Sequence, residues 1–503
     1  MFKNSLFSVL LFCAYTMSFA QEKPAYTPEM QVFHSISSNE IYAFVEELCK
    51  PEYQGRQAGS PEYMACAHWV ANRFAEWGLK PGGDQGSYFQ HFPIHYTEMT
   101  GLGKLEIITL EGRKSYQVAK DYFPGTNSLN GRVKAPVLYV GFGLTAPELG
   151  YDDYKGIDVR GKIVLVESGV PCSDRNHKDY RTWNEQYIST TGRITNAIEH
   201  GAIGVLLVGK TSNPNIKHQG IIFCHISEEV ADDILRSSGQ NQKTLKAAIC
   251  KSLKPASFDT GCEVEMQTET NYNPHSQTCN VIGVWEGTDP ELRNKPLILG
   301  AHLDHLGNHG GIFRGAWDNA SGSAIVLETA KAFGRSGIFP KRTIVFILFG
   351  AEECGILGSA YYVAHPLYPL AQTLCMINLD MVGGGDGFSM GGIKSFPQLE
   401  KHFADANEKY IHRYLKTSEY RKMSPTAVAR TDGAIFNRAD VPTFHTGTTG
   451  KYKNPMYYHD LRDVPELLDP EIMEDVAKFL FLGIRGITCL LYTSPSPRDG
   501  LLS

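Results

Sequence analysis

Seven acidic and histidine residues stand at or just after apolar runs of strand length. They are His302 and Asp304 in LILGAHLDHLG, Asp318 in GAWDNASG, Glu352 and Glu353 in VFILFGAEECG, Asp380 in MINLDMVGGG, and His459 in YYHDLRD. Imidazole nitrogens and carboxylate oxygens so distributed are the donors of a two-metal hydrolytic centre. Residues two apart at an extended strand end point the same way, so the Asp304 carboxylate can approach His302 and hold its ring N–H, leaving the other nitrogen for a metal. Asp318 precedes a helix that Asn319 or Ser321 could cap, and its two oxygens could bridge cations ~3.5 Å apart. Adjacent carboxylates after a buried strand repel one another unless something cationic offsets them, so one of Glu352 and Glu353 can bind metal while the other takes a proton from water. Asp380 closes an apolar strand where an acid needs a partner. His459 lies in a polar, aromatic loop with Asp463 as a possible ring-orienting carboxylate and Tyr458 as a possible hydrogen-bond donor.

Each of these has an ordinary reading when taken alone. His-x-Asp is commonly a surface or capping pair, an acid before a helix is favoured by the helix dipole, a Glu-Glu pair is usually a solvated turn, and Tyr458 is a packed loop aromatic. The joint order His-x-Asp, Asp, Glu-Glu, Asp, His is what points to a metal centre. His305 and His309 read as histidines without a role.

The elements that must position these residues follow from TCNVIGVWEG onward, where strand-like runs alternate with helix-like stretches: KPLILGA, SGSAIVLETAKAFG, KRTIVFILFGA, LCMINLD, FPQLEKHFADANEKY. That alternation predicts an α/β fold with a mainly parallel, mixed sheet sandwiched by helices. In such sheets ligands collect beyond the carboxyl ends of the strands, which is the rim the candidate residues occupy. Upstream, NEIYAFVEELC and PEYMACAHWVANRFAEWGLKP carry helical periodicity, the second starting at Ser60-Pro61 and stopping at Gly78 and Pro81. YFQHFPIHY and GKLEIITL alternate like strands. From about Gly125 short buried strands alternate with short helices.

The chain of 503 residues exceeds what one core usually holds, and 42% hydrophobic residues suits a globular protein. A net charge of -6 without Lys/Arg-rich runs disfavours nucleic acid and anionic membrane surfaces as partners. Lys3, the apolar stretch after it and Ser18-Phe19-Ala20 read as a cleaved secretory signal, with Phe12 before Cys13 arguing against lipidation. No later run reaches the ~20 apolar residues of a membrane-spanning helix, so an exported periplasmic or extracellular protein is expected. CLLYTSPSPRDGLLS from Cys489 resembles a translated sequencing adapter and is expected to be an artefactual tail outside the fold. Removing Cys13 and Cys489 from 11 cysteines leaves an odd number, so at least one thiol stays free; Cys49 with Cys66 and Cys250 with Cys262 are close in sequence, but no pairing follows from that.

Two resemblances add to this. YKGIDVRGKIVLVESG, AIEHGAIGVLLVG and HISEEVADDIL resemble the protease-associated domain over roughly residues 125–255, which implies an inserted lid or interaction module without chemistry of its own. Over about residues 275–487 the metal-ligand motifs resemble the metallopeptidase family of the secreted dizinc leucine aminopeptidases, aminopeptidase Y and the glutamate carboxypeptidases, and GRQAGSPEY fits that family's opening segment. The resemblance implies that His302 and Asp380 bind one zinc ion, Glu353 and His459 a second, and Asp318 both. It implies Glu352 as general base and acid, Asp304 as the orienter of His302, and Tyr458 as a stabiliser of the oxyanion. RTDGAIFNRADVPTF resembles the family's segment before the last ligand, with Asp432 structural. Trp317 and Cys354 depart from the commoner residues beside the bridging acid and after the glutamate pair, so specificity is not carried over.

The expected organisation is a signal peptide at 1–20, peptidase at 21–124 and 256–488, a protease-associated domain at 125–255, and the artefactual tail at 489–503. The expected activity is that of an aminopeptidase on peptide substrates. The alternatives are a carboxypeptidase or dipeptidase of the glutamate carboxypeptidase type, for which Arg314 and Arg430 are the available cations, a glutaminyl-cyclase-like acyltransferase, and a non-catalytic receptor-like protein. Oligomeric state stays open.

Overall fold

The computed structural model describes residues 27–109, 112–211, 220–424 and 427–490. The signal segment and nearly all of the C-terminal tail lie outside these residues. The strands Leu297–His302, Ile344–Phe349 and Cys375–Leu379 are buried along their whole length, as continuous Val/Ile/Leu/Phe runs require when both faces are covered. They pair in parallel, with Leu297–His302 between the other two. Leu297, Leu299 and Ala301 face a core shared with helices Ser38–Leu48, Pro61–Glu76, Ser321–Ser336 and Pro470–Thr488. Ile298 faces the opposite core with Tyr362 and Phe436, from helices Leu357–Ala364 and Asp432–Arg438. The period-two alternation therefore sorts one strand between two layers of helix.

The parallel set continues to Thr443–Thr449, while Thr270–Trp285 and Gly387–Gly391 join antiparallel at the flanks, giving the mixed α/β sheet expected from sequence. The register matches His302 with Phe349 and Ala301 with Leu379. The loops after these three strands thus leave the sheet at one rim, bearing Asp304, Glu352 with Glu353, and Asp380.

A second, eight-stranded sheet has its own cores on its two faces. It includes Lys104–Thr109, Gly112–Ser115, Tyr122–Pro124 and Phe258–Thr268. This is wider than the 125–255 span read from sequence, because Phe258–Thr268 hydrogen-bonds with Lys104–Thr109 on one side and Gly131–Tyr139 on the other. Such a long-range pairing leaves no local signal. The antiparallel pair Phe89–Met99 and Thr270–Trp285 connects this sheet to the main one. Among the described residues no helix is long and apolar enough to cross a membrane, and the described cysteines are free thiols.

Candidate metal centre

The structure brings all seven residues of the constellation, and Tyr458, to the rim. His302 Nε2 lies 3.2 Å from Asp318 Oδ1 and 3.5 Å from Asp380 Oδ1. His459 Nε2 lies 3.3 Å from Asp318 Oδ2 and 3.3 Å from Glu353 Oε1. The two oxygens of Asp318 thus face different histidines, and Asp318 is shared by two groups of donors. His302, Asp318 and Asp380 form one, and His305, Asp318 and Glu353 the other, the donor atoms of each lying within 4.8 Å of one another. His459 approaches the second group through the two contacts above.

Two sequence-based roles change. The Asp304 carboxylate is 3.9 Å from His302 Nδ1, beyond a hydrogen bond, whereas the Asp304 main-chain carbonyl is at 3.1 Å. A carbonyl only accepts, so it takes the Nδ1 proton and leaves Nε2 turned toward Asp318 and Asp380. The Asp304 carboxylate instead accepts the backbone N–H groups of Glu352 and Glu353, at 3.0 and 3.1 Å, and ties the Glu-Glu turn to the His302 strand. Asp463, read as a possible partner of His459, accepts the backbone N–H groups of Trp317 at 2.7 Å and Asp318 at 3.1 Å. In both cases a carboxylate two or four residues from a histidine finds unpaired amides of another loop, which outcompete the ring.

Further contacts join the loops. Asn319 donates to the Leu379 carbonyl at 2.9 Å and accepts from the Met381 N–H at 3.3 Å, so one side chain brackets Asp380. Arg56 is fully buried and donates to the carbonyls of Leu303, Leu48, Arg314 and Gly315 at 2.7–3.0 Å. Its own carbonyl accepts from the His305 N–H at 3.2 Å. Arg56, Ala351, Met381 and His459 all have φ between 51 and 59°, the left-handed region that L-residues occupy only when their surroundings hold them there. Tyr458 is 45% exposed and stacks on His459 with ring centroids 3.7 Å apart, and its carbonyl accepts from Lys210 Nζ at 3.0 Å.

The acids are strongly differentiated. Burial opposes the charge of Asp318, yet His302 and His459 hold it well below the usual carboxylate range. Burial likewise opposes the charge of Glu353, which His459 and His305 bring down to about 2. Burial, Glu353, Asp432 and Asp380 push Glu352 well above that range. Burial disfavours the charged ring of His459, but Glu353 and Asp318 carry its pKa up to about 10. Burial pushes Asp304 up to about 7 and Asp463 up to about 6. Protons on the histidines therefore offset the converging carboxylates, and cations could replace them. The buried Asp380 Oδ1 and His459 Nε2 make the ion-pair contacts above but no well-directed hydrogen bond, as expected of atoms aimed at an ion. The donor set, mixed imidazole and carboxylate, suits zinc.

Beside Asp380 lies a cavity of about 380 Å³, walled by Trp317, Met381, His445, Thr446 and Tyr452 among others. No Arg or Lys lines it, Arg314 and Arg430 included. A larger cavity of about 560 Å³, at Gln57, Glu62, Tyr96 and Glu98, contains none of the site residues. His305, Arg56 and Asn319 are the participants that sequence reasoning missed. His305 adjoins Asp304 in the same motif, which was the available signal, whereas nothing local marks Arg56.

Residues 280–482 match the model of Peptidase family M28, and residues 133–234 match the PA domain. Leupeptin-inactivating enzyme 1 of Streptomyces exfoliatus is 44% identical over 105 residues, covering 21% of this chain and 22% of that protein. An aminopeptidase of Pseudomonas aeruginosa is 24% identical over 69% of this chain and 59% of its own length. The chain thus spans less than two thirds of these relatives. The crystal structure of BSAP, a zinc aminopeptidase from Bacillus subtilis, superposes with a TM-score of 0.63 at 18% identity, covering 92% of this chain and 98% of that one. This likeness establishes the fold.

Proposed function

We propose that this chain, whose residues 280–482 match Peptidase family M28 and residues 133–234 the PA domain, is an exported, zinc-dependent exopeptidase, an aminopeptidase with two metal ions. The observation that carries the reading is the sharing of Asp318, whose Oδ1 faces His302 and whose Oδ2 faces His459. In this reading His302 and Asp380 hold one zinc ion, Glu353 and His459 the other, and Asp318 both. Bound there, zinc supplies Lewis acidity that polarises the scissile carbonyl and lowers the pKa of water. Glu352, held high first by burial and then by its acidic neighbours against the opposing pull of His302, takes the proton of the attacking water and returns it to the leaving amine. Asp304 fixes the turn that aims Glu352. Tyr458, half-exposed and stacked on the His459 ring, is the residue that would donate to the oxyanion in this reading. The acids of the rim are also suited to receive a free α-amino group.

Export rests on the residues from Lys3 to Ala20. The division into a peptidase body and an inserted module belongs to the same proposal, with the module extended to the strands that hydrogen-bond in the second sheet. A carboxypeptidase for acidic C-termini is disfavoured by the cavity beside Asp380, whose wall carries that acid and no Arg or Lys. A single-metal cyclase or a receptor-like protein is disfavoured by the completeness of both donor groups. Metal analysis of the purified protein, combined with peptides free or blocked at the N-terminus, tests the reading. Two zinc ions per chain and release of N-terminal residues from free peptides alone are expected. Trimming of blocked peptides from the C-terminus would replace aminopeptidase with carboxypeptidase.

A further inference from the structure

His305 belongs to the second donor group but holds neither zinc ion in the assignment above, and it is as deeply buried as any residue at the rim, with 0% of its surface exposed. Its Nδ1 lies 2.9 Å from Glu353 Oε1. The same oxygen faces His459 Nε2 at 3.3 Å, and the two imidazole rings meet edge to face with centroids 5.8 Å apart. The ring is wedged in place from behind. A Cβ built on Gly315 would fall 2.4 Å from His305 Cγ, so only glycine leaves room for it. The His305 N–H is held by the Arg56 carbonyl. An imidazole fixed in this way, facing a carboxylate kept ionised, donates its Nδ1 proton and sets the rotation of that carboxylate about its own axis.

We infer that His305 is a positioning residue for the second metal ion, acting through Glu353: the Nδ1–H to Oε1 bond orients the carboxylate and sets the affinity of that site alone. The inference rests on the two-metal reading. The competing explanation is that the ring merely fills space between Gly315 and Glu353. Loss of a hydrogen bond to a metal-ligating group typically lowers metal affinity by ~10–100-fold. The His305 ring makes no hydrogen bond to His302 or Asp380, its Nδ1 facing Glu353 and its Nε2 having no partner, so the site at that end keeps its affinity.

Zinc titration of the apo-protein against a competing chromophoric chelator separates these possibilities. The amide nitrogen of asparagine reaches the position of Nδ1, and that of glutamine the position of Nε2. His305→Asn is therefore expected to keep both sites near wild-type affinity, whereas His305→Gln and His305→Ala lose ~10–100-fold at one site only. Equal weakening in the Asn and Gln variants, or two unaltered sites in all three variants, overturns the inference while leaving the two-metal reading intact. Wild-type protein that binds a single zinc ion overturns the reading itself and the inference with it.

Discussion

Glu352 and Glu353 share a turn pinned by Asp304, but their surroundings push them apart. Burial and the nearby acids raise Glu352, while His459 and His305 overcome burial and hold Glu353 at about 2. One is suited to carry a proton and the other to stay ionised against a cation. Glu352→Gln keeps the shape and the backbone contacts of the turn. In the two-metal reading it is expected to retain the zinc content of the wild type by metal analysis and to lower kcat on peptides by ~10²–10⁴-fold. Turnover near the wild-type rate would remove Glu352 from the proton-transfer role.

The candidate residues sit at the end of a strand, His302, or in the segments beyond the strands, and what holds those segments in register is a set of side chains between elements. Arg56 does most of this, reaching the C-terminal end of helix Ser38–Leu48, the His302 strand 247 residues away in sequence, and the segment before Asp318. Its charge has no carboxylate partner among these contacts, and four carbonyls together with the negative end of a helix dipole take that part. Arg56→Met leaves those carbonyls buried and unpaired, at ~1–3 kcal/mol for each group that finds no water. A melting temperature lowered by many degrees and a reduced zinc content are expected, with Arg56→Lys intermediate in both. A variant that melts and binds zinc like the wild type would show that the clamp is dispensable.

At the scale of the whole molecule, the second sheet is not remote from the rim. Phe123 meets Phe313 at 5.4 Å, and Lys210 holds the Tyr458 carbonyl, so the inserted unit touches both the segment between His305 and Asp318 and the residue before His459. Within that unit Asp153 is buried and accepts from the Phe142 and Leu144 N–H groups and the Tyr151 hydroxyl, and burial pushes its carboxyl up to about 7. Unfolded, the same group gives up its proton near 3.8. Between these values the folded state binds more protons, so the Asp153 contribution to stability falls as pH rises toward 7. Asp153→Asn, neutral throughout, with its oxygen accepting from the Phe142 and Leu144 N–H groups and its amide donating to the Tyr151 oxygen, is expected to gain stability relative to wild type across that window in urea denaturation. A difference that stays constant with pH would rule out the buried carboxyl as its source.

The sequence by itself determined the strand runs, their acidic and histidine ends, and hence both the α/β layering and the rim. These are legible because burial on two faces demands continuous apolar runs and because a charge placed after such a run requires a partner. The resemblance put His302 with Asp380 and Glu353 with His459, residues whose facing atoms lie 3.5 and 3.3 Å apart. Only the tertiary structure decided what the remaining polar groups do. Asp304 and Asp463 turn from the histidines near them in sequence to backbone amides of other loops, Arg56 joins segments hundreds of residues apart, and His305 finds Glu353. The width of the second sheet was decided in the same way, by Phe258–Thr268 returning to pair with Lys104–Thr109. Hydrogen bonds are satisfied by whichever partner the packed chain brings within 3 Å or so, and distance along the sequence does not record which one that is.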